Sequence, residues 1–225
     1  MTHQRPFDAI IFDHDGTLVD TETPDIRACQ MLYSEFKAPF DPQQWAALVA
    51  GSMAGYDILL NELAQFHGNG LTRDVLWQRL RELWAITYEQ VELAPGVEQL
   101  LPQLHAAGYP LAVASASDRK WIERWMSTFG LLPYFQTIAS GDDVRHNKPA
   151  PDVYLVAAAQ LGVAPERCLV FEDSLTGVQS AKAAGMTVVA VPSHITQTLD
   201  FSHANAVIAS LDKVTLDWLE AVRQA

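Results

Sequence analysis

The sequence predicts an α/β protein, a doubly wound parallel sheet with a small α-helical domain inserted after its first strand. Short, continuously apolar segments alternate with segments of helical periodicity, and one long interval near the N-terminus lacks a strand pattern. Parallel strands covered on both faces are continuously apolar, whereas strands with one wet face alternate apolar and polar residues. The alternation therefore indicates right-handed βαβ units, and the interval indicates an insertion.

Six segments have the length and apolar composition of buried strands: residues 9–12, 110–114, 137–139, 168–171, 187–191 and 206–209. Four segments between them have helical patterns: residues 97–107, 120–129, 152–161 and 176–184. Each of these four ends directly before a glycine, which is common just past a helix C-terminus. These elements account for the predicted sheet and for the helices that cover it.

Residues 21–92, called the helical insert below, contain no convincing strand. Their apolar residues recur at helical spacing in three groups: Ile26, Cys29, Leu32, Tyr33 and Phe36; Ile58, Leu59, Leu63 and Phe66; Trp77, Leu80, Leu83, Trp84 and Tyr88. We predict two domains, a core of residues 1–20 and 93–225 and a helical domain of residues 21–92. The aromatic side chains are expected to fill the helical bundle rather than to surround a ligand.

Composition excludes several classes of function. The formal net charge of −12, with no run of Lys or Arg, argues against a nucleic-acid partner. The two cysteines, Cys29 and Cys168, lie far apart in apolar segments, so no disulfide framework is expected. The sequence has neither an apolar run long enough to cross a membrane nor a signal-peptide core. We expect a cytoplasmic monomer without a membrane partner.

Charged and hydroxyl side chains lie at or just past the ends of the predicted strands. They are Asp13 and Asp15, Ser115, Lys148, and Glu172 with Asp173. Each residue alone has an ordinary interpretation as a helix cap, a turn residue or a surface charge. Because the carboxyl ends of parallel strands meet at one edge, where open α/β sheets bind ligands, we expect the whole set to meet there. Two close carboxylates repel and need a cation or a shared proton, so this edge should hold positive charge.

Four segments, in this order, resemble the four sequence motifs of the haloacid dehalogenase superfamily. They are residues 12–20 (FDHDGTLVD), 113–117 (VASAS), 147–152 (NKPAPD) and 171–174 (FEDS). The helical insert resembles the small cap domain of the β-phosphoglucomutase-like phosphatase branch. The resemblance implies a Rossmann-like core, a Mg²⁺ cofactor and a small phosphorylated metabolite as substrate, with a sugar phosphate expected.

The resemblance also implies residue roles. Asp13 would attack phosphorus and form an aspartyl-phosphate, while Asp15 would protonate the leaving group and later deprotonate the attacking water. Asp13 must then be ionised while Asp15 starts protonated, so their environments should push the two pKa values apart. Carboxylates of Asp13 and Asp173 and the carbonyl of Asp15 would hold Mg²⁺, with Glu172 as a water-mediated or outer partner.

Phosphate oxygens would be bound by Ser115, Ala116 and Lys148, again by resemblance. Three further residues are candidates for substrate specificity: His14, at a motif position that is more often apolar, and Ser52 and Met53, in the loop at residues 51–55. A local hydrogen bond is the alternative explanation for His14.

Two alternatives to a phosphatase stay open. A β-phosphoglucomutase-type mutase has an arginine in the loop that corresponds to residues 51–55 of this chain. It also has a lysine at the position that corresponds to Asp118. Both differences remove positive charge from the place of a second phosphate, so they favour hydrolysis. A receiver-like signalling module also phosphorylates an aspartate, but its acceptor follows a later strand and no helical insert follows its first strand.

Overall fold

The computed structural model describes residues 5–50, 53–68 and 70–224. The strands are β1 (Ala9–Phe12), β2 (Val19–Asp20), β3 (Glu92–Leu93), β4 (Leu111–Ala114), β5 (Thr137–Ala139), β6 (Cys168–Glu172), β7 (Thr187–Ala190) and β8 (Ala206–Val207). The α-helices are α1 (Glu22–Glu35), α2 (Pro42–Leu48), α3 (Ala54–His67), α4 (Arg73–Thr87), α5 (Val97–Ala106), α6 (Arg119–Thr128), α7 (Asp152–Leu161), α8 (Leu175–Ala183) and α9 (Leu216–Gln224).

Six strands form one parallel sheet in the order β5-β4-β1-β6-β7-β8. Ile10 of β1 is aligned with Leu111 on one side and with Leu169 on the other. The chain leaves β1, crosses to β4 and β5, and then returns to β6 on the opposite side of β1. Such a reversal creates a crevice at the carboxyl ends of the strands. The predicted doubly wound fold is confirmed.

The central strands are buried on both faces because successive side chains point in opposite directions. Ile10 and Phe12 belong to the hydrophobic cluster on one face, and Ala9 and Ile11 belong to the cluster on the other. This geometry explains the uninterrupted apolar sequence of β1, since neither face of the strand meets water. All six strands predicted from such sequences occur within two residues of their predicted ends.

Strands β2 and β3 were not predicted, because two residues are too few to establish a pattern. They pair antiparallel, Val19 with Leu93 and Asp20 with Glu92, where the chain leaves the sheet and where it returns. This pairing supports our proposal of domain boundaries at residues 20/21 and 92/93. Helices α2 and α9 were also not predicted.

The helical insert has a hydrophobic cluster of its own, to which α1, α2, α3 and α4 all contribute. Helix α3 turns one face inward at spacing i, i+3, i+4, i+7. The residues of this face are Tyr56, Leu59, Leu60 and Leu63. The prediction that Ile58 and Phe66 share it was wrong, since their exposed fractions are 46% and 60%. In the described part of the chain, no helix is both long and apolar enough to span a bilayer.

Candidate active site

A cleft of about 380 Å³ lies between the carboxyl edge of the sheet and the helical insert. The sheet side is lined by Asp13, Asp15, Ser115, Ala116, Ser117, Asp118, Trp121 and Lys148. The insert side is lined by Thr21, Glu22, Asp25, Trp45, Val49, Ala50, Met53, Tyr56, Trp84 and Tyr88. The cleft has the size of an ordinary small-molecule site, and it lies at the topological reversal of the sheet.

The turn after β1 directs two carboxylates towards this cleft. The backbone N–H of Asp13 donates to the carbonyl of Phe171 at 3.0 Å and thereby extends the pairing of β1 with β6. The chain then folds back, with the N–H groups of Leu18 and Val19 both donating to the carbonyl of His14. Asp13 and Asp15 are thus fixed by backbone hydrogen bonds at the end of a buried strand.

Lys148 holds two of the buried acids. Its Nζ donates to Asp13 Oδ1 and to Glu172 Oε1, at 2.6 Å each. Tyr154 supports the same pair: its hydroxyl donates to Glu172 Oε1 at 2.9 Å, and its ring centroid lies 4.9 Å from Nζ. Burial opposes the charge of Lys148, but the carboxylates of Asp13 and Glu172 raise its pKa above the ordinary value. The lysine is therefore a permanent cation at the floor of the cleft.

One lysine does not balance the acids around it. Asp13, Glu172 and Asp173 are buried and present carboxylate oxygens within 4.8 Å of one another. Glu22 lies against Asp173, and burial raises the pKa of Asp13 to about 7 and that of Glu22 to about 8. Burial and the neighbouring acids Glu22 and Glu172 also raise the pKa of Asp173 well above its usual value. The cluster is short of positive charge.

The donor set fits a hard divalent cation. Asp173 Oδ1 accepts a 3.3 Å hydrogen bond from Thr17, but Asp173 Oδ2 is buried and receives no hydrogen bond. The Asp173 side chain also lies against the carboxyl of Glu22, and two carboxyl groups can pair only by sharing a proton. Because Mg²⁺ prefers carboxylate oxygens, a buried acidic cluster with an unpaired oxygen fits this ion.

Gly16 leaves the space that Asp173 occupies. A Cβ at position 16 would lie 2.0 Å from Asp173 Oδ2, and the residue has a φ of +78°. We expect Gly16→Ala to displace the Asp173 carboxylate and lower Mg²⁺ affinity by about 10- to 100-fold, as does the loss of a metal-supporting partner. Calorimetric titration with Mg²⁺ measures this effect.

Gly130→Ala is the matched control for that change. Gly130 has a similar φ of +65°, but no atom lies within 4 Å of a Cβ placed there. Both variants should lose roughly 1 kcal/mol of stability from the left-handed backbone conformation. Only Gly16→Ala should lose Mg²⁺ affinity, and equal affinities in the two variants would rule out Asp173 as a ligand.

Asp15 is surrounded by hydrogen-bond donors. Its Oδ1 accepts from Thr21 Oγ1 and from Trp121 Nε1, at 2.8 Å each. Its Oδ2 accepts from Ser117 Oγ at 2.6 Å and, more weakly, from Ser115 Oγ at 3.4 Å. The donors come from the start of the helical insert, from the segment after β4 and from α6. Asp15 therefore connects both sides of the cleft.

These donors reverse the expected order of the two pKa values. Burial alone would raise the pKa of Asp15, but the His14 ring and the bonds from Ser117 and Trp121 hold it below its usual range. Burial raises the pKa of Asp13 instead. These directions are opposite to the expected pair, an ionised Asp13 beside a protonated Asp15, and the assignment of the two roles stays a proposal.

A family model described as haloacid dehalogenase-like hydrolase matches residues 10–191. The chain belongs to this family. Among its members, the Bacillus subtilis protein YhcW is 36% identical over 208 residues, which cover 92% of this chain and 94% of YhcW. The fructose-1-phosphate phosphatase YqaB of Escherichia coli is 34% identical over 185 residues, covering 81% of this chain and 95% of YqaB.

A solved structure of the family has the same architecture. The hydrolase of Deinococcus radiodurans, crystallised with bound phosphate and sodium, superposes with a TM-score of 0.77. It is 30% identical, and the match covers 98% of each chain. Both parts of this haloacid dehalogenase-like hydrolase, the sheet and the helical insert, fall within the match.

The structure brings most of the predicted site residues together. Asp13, Asp15, Ser115, Ala116 and Lys148 all line the cleft. Glu172 and Asp173 lie behind Asp13 in the acidic cluster. The distances between their atoms are compatible with the roles inferred from the family motifs, which remain proposals.

Of the three candidates for substrate specificity, the structure places one in the cleft wall. Met53 lines the cleft and is 64% exposed. His14 is fully buried and does not line the cleft, and its Nδ1 lies 3.2 Å from Asp15 Oδ1. This local polar contact with Asp15 favours the alternative explanation for His14 over a role in specificity. Ser52 lies outside the described residues.

Sequence reasoning missed several residues of the site. Thr21 and Ser117 stand inside or beside the motifs, so their hydroxyls could have been considered as partners of Asp15. Trp84 and Tyr88 were expected in the bundle core, yet both line the cleft, as do Trp45 and Tyr56, which belong to none of the predicted groups. No sequence signal distinguished a ring that faces the cleft from a ring that faces the core, because both helix faces have the same periodicity.

Proposed function

We propose that this hydrolase is a Mg²⁺-dependent phosphatase that hydrolyses a small phosphomonoester, a sugar phosphate, through an aspartyl-phosphate on Asp13. The coarser class, a phosphoric monoester hydrolase, follows from the family and its named relatives. The observation that carries the finer proposal is the Asp13 carboxylate, which lines the cleft, contacts Lys148 and belongs to an acidic cluster that is short of positive charge. The name of YqaB supports a sugar phosphate as substrate.

The first chemical step requires positive charge near Asp13. An anionic carboxylate that approaches a phosphate must overcome mutual repulsion, so fixed cations have to stabilise the transferring oxygens. Lys148 orients Asp13 through a 2.6 Å hydrogen bond and supplies one cation. The carboxylates of Asp13 and Asp173 and the carbonyl of Asp15 would hold Mg²⁺, with Glu172 as an outer partner. When bound, the ion would neutralise charge on the phosphoryl group.

Asp15 would carry protons in both halves of the reaction. A sugar leaves as a poor alkoxide unless it is protonated, so Asp15 would donate a proton to the leaving oxygen. It would then take a proton from the water that hydrolyses the aspartyl-phosphate. Asp15 can bind a proton only after it gives up some of its hydrogen bonds from Thr21, Ser117 and Trp121, because these favour the anion.

The cleft favours hydrolysis over a mutase reaction. Apart from Lys148, the described residues that line it include no cation, and Lys148 is engaged by Asp13 and Glu172. Asp118 accepts a 2.8 Å hydrogen bond from the N–H of Trp121 and thereby caps α6. A bisphosphate intermediate would find no partner for its second phosphate. Membership of the hydrolase family removes the receiver-like alternative.

The proposal predicts that both activity and stability depend on Mg²⁺. Hydrolysis of an aryl phosphate should fall to background after chelation and return when Mg²⁺ is added. At about 100 times its dissociation constant, a ligand stabilises the folded state by ~2.7 kcal/mol, which corresponds to a rise in Tm of about 5–10 °C. Protein of the same batch that was never chelated is the control. Full activity in chelator would contradict the proposal.

The same experiment has a pH dependence of known sign. The pKa of Asp13 rises from 3.8 to about 7 on folding, and that of Glu22 rises from 4.5 to about 8. At pH values between the unfolded and the folded pKa of each group, the folded state binds more protons than the unfolded state. The stability of the metal-free protein therefore falls as pH rises through this range. Mg²⁺ replaces those protons, and its effect on Tm should therefore be larger at about pH 8 than at about pH 5.

A further inference from the structure

The wall that the helical insert presents to the cleft is acidic as well as aromatic. Apart from Glu22, which lies against Asp173, its one charged side chain among the described residues is Asp25 of α1. Asp25 Oδ1 accepts from Trp84 Nε1 at 2.6 Å, and Asp25 Oδ2 accepts from the hydroxyl of Tyr56. Donors from α4 and α3 thus fix the position of this carboxylate.

Aromatic rings connect Asp25 to the catalytic edge. The ring centroids of Tyr56 and Trp84 are 5.4 Å apart, those of Trp84 and Tyr88 are 6.3 Å apart, and those of Tyr88 and Trp121 are 5.0 Å apart. Trp121 in turn donates its indole N–H to Asp15. A substrate bound with its phosphate at Asp13 would therefore lie along a wall of ring faces and edges that leads to Asp25.

The chemistry of this wall restricts what can bind beside the phosphate. A carboxylate has about four acceptor sites, and Asp25 uses them for Trp84, Tyr56 and the neighbouring hydroxyl of Tyr88. The site that is left can accept a hydrogen bond from a substrate hydroxyl, while the rings pack against carbon. A second phosphate or a carboxylate would instead meet the negative charge of Asp25, with no cation beside it on the described part of the wall.

We propose that Asp25 is a specificity-determining residue: it accepts a hydrogen bond from a hydroxyl of a neutral sugar or polyol monophosphate and excludes substrates that carry a second anionic group. This inference rests on the proposed phosphatase function. A binding site that pairs its buried polar groups with substrate hydroxyls discriminates strongly, because a substrate that lacks them leaves those groups unpaired. Asp25 therefore selects both for hydroxyls and against charge.

Asp25→Asn tests the proposal through three substrates. The variant removes the charge and keeps the shape, and assays at about pH 8 keep wild-type Asp25 largely ionised, because burial raises its pKa to about 7. For fructose 1-phosphate, kcat/KM should fall about 10- to 100-fold, as expected when a hydrogen bond to a charged group is lost. For fructose 1,6-bisphosphate it should stay constant or rise. For p-nitrophenyl phosphate it should change less than about 3-fold, because that substrate offers no hydroxyl to Asp25.

Asp57→Asn is the matched control. Asp57 belongs to the same helical insert and accepts a 3.0 Å hydrogen bond from the indole of Trp77, but it does not line the cleft. This variant should leave the ratio of monophosphate to bisphosphate hydrolysis unchanged. Asp25→Ser, a neutral variant of different size, should shift this ratio in the same direction as Asp25→Asn. Thermal unfolding curves show whether each variant is folded.

Several outcomes would overturn the inference. They are an unchanged ratio in both Asp25 variants, equal losses on all three substrates, and a wild-type preference for a phosphorylated amino alcohol, which would indicate a cation-binding wall. Failure of the proposed function has a different signature, since wild-type protein would then not hydrolyse p-nitrophenyl phosphate at all.

Discussion

Asp13→Asn should lower phosphatase activity by about 10⁴-fold or more, the scale on which enzymes lose rate when a covalent nucleophile is removed. The amide that replaces the carboxylate is a poor nucleophile, although it can still accept the hydrogen bond from Lys148. Steady-state assays on an aryl phosphate with saturating Mg²⁺ measure the loss. Rapid quenching of wild-type protein, followed by mass spectrometry, should find phosphate on the peptide that contains Asp13.

Asp8→Asn provides the control for that experiment. Asp8 lies one residue before β1 and pairs with Arg167 at 2.8 Å on the protein surface, away from the cleft. Its substitution should leave the rate nearly unchanged. The nucleophile would have to be reassigned if Asp13→Asn kept substantial activity or if the phosphate were recovered on another peptide.

The loss caused by Asp15→Asn should depend on the leaving group. A sugar needs a proton as it departs, so its hydrolysis should slow by ~10²–10⁴-fold, the usual contribution of general acid–base catalysis. A nitrophenolate leaves readily without a proton, so its release should slow far less. The measurement compares kcat/KM for a sugar phosphate and for p-nitrophenyl phosphate, together with the rate of the hydrolytic half-reaction.

Asp118→Asn is a matched control in the same cleft. Asp118 caps α6, and Asn is an equally good capping residue, so the fold should tolerate the change. We expect similar and small effects on both substrates. If Asp15→Asn slowed both substrates equally, its role would be structural or electrostatic rather than that of a proton donor.

The sequence predicted the catalytic edge because that edge depends on local patterns. Strands β1 and β6 are buried on both faces, so their apolar sequences identify them, and the acids that follow must then meet at the carboxyl edge. Asp13 and Asp173 could be located in this way, whereas Lys148 lies nine residues past the end of β5 and was identified through its motif. The motifs added their roles by resemblance.

The insert side of the cleft could not be predicted in the same way. Tyr56 and Trp84 occupy helix positions whose periodicity fits a bundle core, and only the packing of the helical insert over the sheet turns part of those rings towards the cleft. Asp25 belongs to no motif. The order of the pKa values of Asp13 and Asp15 also depends on donors distant in sequence, such as Trp121 and Lys148.

The separate hydrophobic cluster of the helical insert has an evolutionary consequence. The proposed catalytic groups stand on strand ends anchored by the two clusters of the sheet, whereas the wall that contains Asp25 stands on α1, α3 and α4 over a cluster of its own. Mutations at well-separated sites have nearly additive effects on stability. Substitutions in the insert can therefore change which substrates bind while the catalytic groups stay in place. Descendants of one ancestral hydrolase can thus diverge in substrate specificity and keep the same reaction chemistry.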